Sequence, residues 1–211
     1  MRRLTGPVAA FALAVFLALP GATRATVIIQ EGNNPQPDEN VLLTPDQTGM
    51  TVFGETNNTN VPIQFTSSQE LTTPASGQAR IEESSGDPLL NIMVLVPDGF
   101  YESLIFNANG DGDGTNMDPS MITIEVLDNM GETTMATFEL GNGSNFFTIT
   151  TDALQSIVKT TITSDLGWDD LRQVRIGGAR TIPEPSSIAL GFIGTVGLVL
   201  FRRAGRNLGK R

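Results

Sequence analysis

The sequence predicts an all-β domain, an antiparallel β-sandwich of jelly-roll type, for residues 26–182. Three observations carry that expectation. Short runs alternate apolar and polar residues at a period of two. Turn clusters punctuate them, drawn from 22 Gly and 12 Pro in 211 residues. No segment of the body sustains a 3.6-residue period long enough for a substantial helix. A barrel is the alternative closure of the same strands.

Val27–Ile29 reads as the first strand, and the polar, Pro-rich Glu31–Asn40 as a loop. Thr51–Phe53 and Val61–Phe65 flank the turn Asn57-Asn58-Thr59-Asn60. Ala79–Ile81 and Leu90–Val96 lead to the turn Asp98-Gly99, after which Tyr101–Phe106 starts with core aromatics at Phe100 and Tyr101. Met121–Leu127 is the clearest strand, with Ile122, Ile124 and Val126 opposite Met121, Thr123 and Glu125. After Asn129-Met130-Gly131, Thr137–Leu140 sets Phe138 and Leu140 against Thr137 and Glu139. Gly141-Asn142-Gly143-Ser144 precedes Phe146–Thr150, and Asp152–Ser156 has room for one helical turn. Ser156–Thr163 is expected to place Val158 and Ile162 on one face, opposite Ile157, Lys159 and Thr161. Leu171–Ile176 alternates less regularly and ends at Gly177-Gly178.

Cysteine and histidine are both absent. That excludes disulfides, thiol nucleophiles, Cys/His zinc sites and imidazole acid–base chemistry. Charge is partitioned sharply. Of 13 Lys and Arg, only Arg80, Lys159, Arg172, Arg175 and Arg180 fall within 26–182, against 22 of the 23 acidic residues. The body therefore carries a formal charge of −17. It repels nucleic-acid phosphates, so no nucleic acid is expected as partner. A solvated acidic surface is the plain reading, with divalent cations as the alternative.

The two ends differ from the body. Residues 1–25 read as a secretory signal: Arg2 and Arg3, the apolar run Val8–Leu19, Pro20-Gly21, then Thr23-Arg24-Ala25 with cleavage before Thr26. That run spans only ~18 Å as a helix, short of a ~30 Å hydrocarbon core. A buried core helix is the alternative. An exported chain without cysteine suits a bacterium better than a eukaryotic secretory route. Residues 183–211 form a tail, with Ile182-Pro183 as its boundary. Pro183-Glu184-Pro185 is followed by the apolar Ile188–Phe201, a marginal transmembrane helix candidate of ~21 Å, and by the basic end 202–211. Arg202, Arg203, Arg206, Lys210 and Arg211 are expected to stay cytoplasmic, as are Arg2 and Arg3, leaving the acidic body outside.

The combination of Pro183-Glu184-Pro185, a Gly-dotted apolar helix and a terminal Arg cluster resembles the PEP-CTERM sorting tail of Gram-negative and related bacteria. The resemblance implies recognition by an exosortase, a membrane cysteine protease that cleaves near the motif, after passage through the export machinery. It covers about 25 residues and implies sorting, not any ligand affinity. A single-pass anchor without processing is the alternative. A eukaryotic lipid-anchor signal ends in its hydrophobic stretch, which the basic end contradicts. Ser103–Asn107, Gly141–Ile149 and Asp170–Gly178 also resemble ectodomains that precede such tails, which are expected to be β-sandwiches of unassigned function.

Three constellations in the body suggest chemistry. Asn107, Asn109, Asp111, Asp113 and Asp118 alternate oxygen-bearing side chains with glycines, as a loop wrapping Ca2+ does. This resembles the helix-loop-helix calcium motif in part: Asn107 replaces Asp at position 1 and Asp118 replaces Glu at position 12. A plain Asn/Asp/Gly hairpin loop is the alternative. Trp168, the single tryptophan, stands beside Asp169 and Asp170. On a loop, the ring would stack on a sugar while the carboxylates accept its hydroxyl protons. Packing of Trp168 over the end of the sandwich, with Asp169-Asp170 an exposed strand start, is the alternative. Pairs such as Glu82-Glu83 and Asp169-Asp170 supply carboxylates for glycoside hydrolysis, but sequence cannot pair them, and no catalytic residue is assigned. The expected function is a non-catalytic exported envelope or extracellular-matrix protein. A carbohydrate-binding module with optional calcium, taking extracellular polysaccharide, is the alternative, with a polysaccharide-acting enzyme third.

Overall fold

The computed structural model describes residues 26–37, 39–73, 80–110, 120–152 and 154–182. The signal segment 1–25 and the whole tail 183–211, with Pro183, Glu184 and Pro185, lie outside the described residues, as do Asp111, Asp113 and Asp118. Among the described residues every element is a strand, and no helix is long and apolar enough to cross a membrane.

The strands are β1 (Val27–Glu31), β2 (Glu39–Leu43), β3 (Gln47–Thr56), β4 (Pro62–Thr73), β5 (Ile81–Glu83), β6 (Leu89–Leu95), β7 (Gly99–Phe100), β8 (Ser103–Gly110), β9 (Ser120–Asp128), β10 (Thr133–Leu140), β11 (Gly143–Thr151), β12 (Ile157–Trp168), β13 (Asp170–Gly177) and β14 (Arg180–Thr181). Every pairing among them is antiparallel. The hydrogen-bonded order is β1-β11-β8-β13-β2-β3-β4-β6-β12-β9-β10, and β5 pairs with both β13 and β4. The chain β13-β2-β3-β4-β5 is thereby a closed ring of five strands. The all-β expectation holds, but the strands do not divide into the two layers of a sandwich as separate sheets: twelve belong to one network, and β7 and β14 pair apart from it. One network closes on itself and extends two arms. In one arm β8 packs across β12 of the other, and β1 approaches β9 and β10.

The core lies between the arms and inside the ring. Leu104, Phe106, Phe147 and Ile149 face Ile92, Val94, Ile122, Ile124, Val126 and Ile162 in one apolar cluster. Phe147 stacks against Phe106 at 5.4 Å and Phe138 at 5.2 Å between centroids. Tyr101 is fully buried and its hydroxyl donates to Thr160 Oγ1 at 2.7 Å. Desolvation pushes that phenol well above its ordinary range.

Turn chemistry explains the hairpins. The β3–β4 turn at Asn57–Asn60 is held by Glu39, whose carboxylate accepts the N–H groups of Asn58 (3.0 Å) and Thr59 (2.9 Å) and the Thr59 hydroxyl (2.9 Å). At the β9–β10 turn the Asp128 carboxylate accepts from the N–H groups of Met130 and Glu132, and Gly131 takes a φ of 80°.

Four expectations need correction. Glu31–Asn40 is not wholly a loop: its last two residues open β2, where Val41 and Leu43 are buried. Val158 and Ile162 do not share a face. A bulge between Ile157 and Lys159 leaves Val158 exposed and buries Ile157, Thr160 and Ile162. Phe100, unlike Tyr101, is half-buried outside the core, with Arg180 over its ring at 4.4 Å; the one turn expected near Asp152 does form, closed by Gln155 N–H to the Asp152 carbonyl. Asp170 is no exposed strand start but is 2% exposed. The irregular alternation of β13 has the same cause as that of β12: a bulge between Arg172 and Arg175, with Gln173 at a φ of 50°.

Candidate functional site

A strand sends successive side chains to opposite faces, so the adjacent aromatics Phe146 and Phe147 on β11 cannot both enter the core. Phe147 enters it. Phe146 turns outward, half-buried, beside Asn107 of β8, and Asn107 in turn pairs with Arg172 of β13. The outer face of β11-β8-β13 thus carries a row of Phe146, Asn107 and Arg172, flanked by Thr148, Ile105 and Arg175.

The segment Gly32–Pro37 crosses this face. Gly32 N–H donates to the Phe146 carbonyl at 2.7 Å, and the Thr148 hydroxyl donates to the Gly32 carbonyl at 2.7 Å. Gln36 accepts a hydrogen bond from Arg175 and donates to the Asn33 carbonyl. Two clefts result, and Phe146 lines both. One, of about 110 Å³, is walled by Asn33, Gln36, Ile105, Gln173 and Arg175. The other, of about 280 Å³, is walled by Glu31, Gly32, Glu139, Ser144 and Asn145. The amide, guanidinium and hydroxyl groups around one aromatic ring can donate to and accept from a polyhydroxylated ligand.

On this face Asn107 is covered to 2% exposure; its Nδ2 donates to Ser144 Oγ at 3.1 Å, while its Oδ1 has no partner among the described residues. Arg172 forms a two-pronged ion pair with Asp170. The Asp170 hydrogen bonds, with the charges of Asp170, Asp169 and Glu82, raise the guanidinium pKa against its desolvation.

The residues singled out in the sequence are partly brought together. Asn109 Nδ2 donates to Asp169 at 3.2 Å, and Asp169 N–H donates to the Asn109 carbonyl at 2.9 Å. Asn109 also lies in register with Asp170. Asn107 and Asn109, however, are in extended β8, not in a curled loop, and they bond to protein neighbours. Among the described residues no three carboxylates gather where a metal ion could be held. Trp168 is placed in the core, not on a loop: it ends β12 in register with Leu89, has 0% exposure, and its Nε1 has no partner among the described residues. A ring in that position has no face to offer a sugar. The Phe-Phe pair signals that one of the two rings faces outward, but not which, and Phe146 was not singled out in the sequence. Gln36, Gln173 and Arg175 reach it only through the loop crossing and the β13 bulge, which have no local signature.

No family model, curated protein or solved structure matched this chain in the three comparisons made.

Proposed function

We propose that this chain is a non-catalytic, exported cell-envelope or extracellular-matrix protein, delivered by a secretory signal and processed by an exosortase-type protease at a PEP-CTERM tail. The observation that carries this reading is the arrangement of the sequence: basic-apolar residues 1–25, an acidic body, then Pro183-Glu184-Pro185, apolar 188–201 and basic 202–211. The body's architecture supports it. An all-β domain held by one apolar core, without cysteine, folds independently of the redox state outside the cytoplasm. The two facing arms support a jelly-roll-like sandwich as the description of its layers. The test is the mass of the mature protein from cells with and without the processing protease. A C-terminus truncated near Pro183–Pro185 only when the protease is present supports the proposal; an intact tail in both contradicts it.

A second reading, carbohydrate binding, is favoured by the two clefts that share Phe146. It relocates the stacking ring from Trp168 to Phe146. On a glycan array, specific binding lost in Phe146→Ala and Arg175→Ala supports it, and silence of the folded wild-type protein removes it.

A further inference from the structure

Among the described residues β10 ends the hydrogen-bonded order, and its free side lacks the usual protection of an edge. It is eight residues long, pairs with β9 in unbroken register, and contains no proline, lysine, arginine or bulge. The other end, β1, is shorter; it approaches β10 near Glu139 but among the described strands pairs with β11 alone.

The orientation of the free groups follows from the turn. Asp128 N–H donates to the Glu132 carbonyl at 3.0 Å, so that pair is hydrogen-bonded and the ladder alternates from it. Thr134, Ala136, Phe138 and Leu140 then point their backbone groups to β9. Thr133, Met135, Thr137 and Glu139 point theirs outward. The 3.0 Å contact between the hydroxyls of Thr123 and Thr137 agrees, since side chains approach most closely at pairs without backbone bonds.

We infer that the β10 edge pairs with β10 of a second copy of this chain, antiparallel about Ala136. In that register Met135 meets Thr137 and Thr133 meets Glu139, each through outward backbone groups, giving about eight new backbone bonds. The register also keeps exposed side chains with exposed ones and inner with inner. The strand's own charge does not oppose a second copy: its one acid, Glu139, meets Thr133 and never its own copy, while the repulsion between two −17 bodies weakens the pair. One strand pair buries an area at the low end of specific interfaces, so the association is weak and concentration-dependent. Because both partners are anionic, added salt strengthens it.

The natural absence of cysteine allows a register test in the exported protein. Across the two-fold axis Ala136 faces its own copy at a pair without backbone bonds, where Cα atoms lie ~4.5 Å apart and a disulfide fits. Ala136→Cys should form a covalent dimer under mild oxidation, while Met50→Cys, exposed on β3, should not. Sedimentation should show dimer increasing with protein and salt, and Met135→Glu with Thr137→Glu should leave a folded monomer with an unchanged circular dichroism spectrum. Dimer without the Ala136→Cys cross-link, or dimer surviving both charge substitutions, would overturn the proposal by placing the interface elsewhere. A monomer at all concentrations would also overturn it; slow amide exchange at Met135 and Thr137 in that monomer would identify another segment of this chain as the cover.

Discussion

Single residues in this molecule act through the backbone groups they satisfy. Burial alone would raise the Glu39 pKa, but the donors from Thr59 and Asn58 outweigh it and hold the carboxyl below its ordinary 4.5. A folded-state pKa below the unfolded one means stabilisation that is complete above about 4.5 and lost as pH falls through the folded value. Glu39→Ala is therefore expected to cost about 2 kcal/mol at neutral pH, by removing hydrogen bonds to a charged group. The gap in melting temperature between the variant and wild type should close on acidification; a pH-independent gap would assign Glu39 a packing role instead. Trp168 is different, because its contribution is volume. Trp168→Ala should destabilise the fold by about 3–5 kcal/mol in chemical denaturation, as expected for emptying a core site. A Trp168→Ala protein of unchanged stability would return the ring to the surface.

The bulges of β12 and β13 decide which side chains reach which face. Strand existence and the faces of β9 and β10 were legible in the sequence, since Ile122, Ile124, Val126, Phe138 and Leu140 alternate without interruption. The faces of β12 and β13 were not. An inserted residue reverses the parity after it, so Ile157 and Ile162 are both buried although five positions separate them. Val41 and Leu43 were hidden by the Pro-rich segment before them, and the candidate site shared that obscurity because a loop and a bulge assemble it. The β13 bulge makes its own prediction. Gln173 holds a left-handed conformation that costs a non-glycine residue about 1 kcal/mol. Gln173→Gly should be neutral or slightly stabilising in thermal melts, and Gln173→Val clearly destabilising. Equal losses in both would mean that the side chain, not the backbone, sets the bulge.

At the scale of the whole molecule the governing quantity is charge. The 22 acids of residues 26–182 repel one another, so the melting temperature should rise between low and physiological ionic strength, as screening shortens the reach of that repulsion to about 8 Å. A melting temperature that falls over the same interval would point to stabilising surface ion pairs; Arg80–Glu82 and Arg180–Glu102 are among those formed. The same charge has a topological consequence. Under the proposed export, the basic, apolar ends enclosing an anionic body would both face the cytoplasm and the β-domain would not. The direct measurement is a topology reporter inserted after Ile182 in the native host. Activity only on the far side of the inner membrane is the predicted result, and a cytoplasmic reporter would contradict the account.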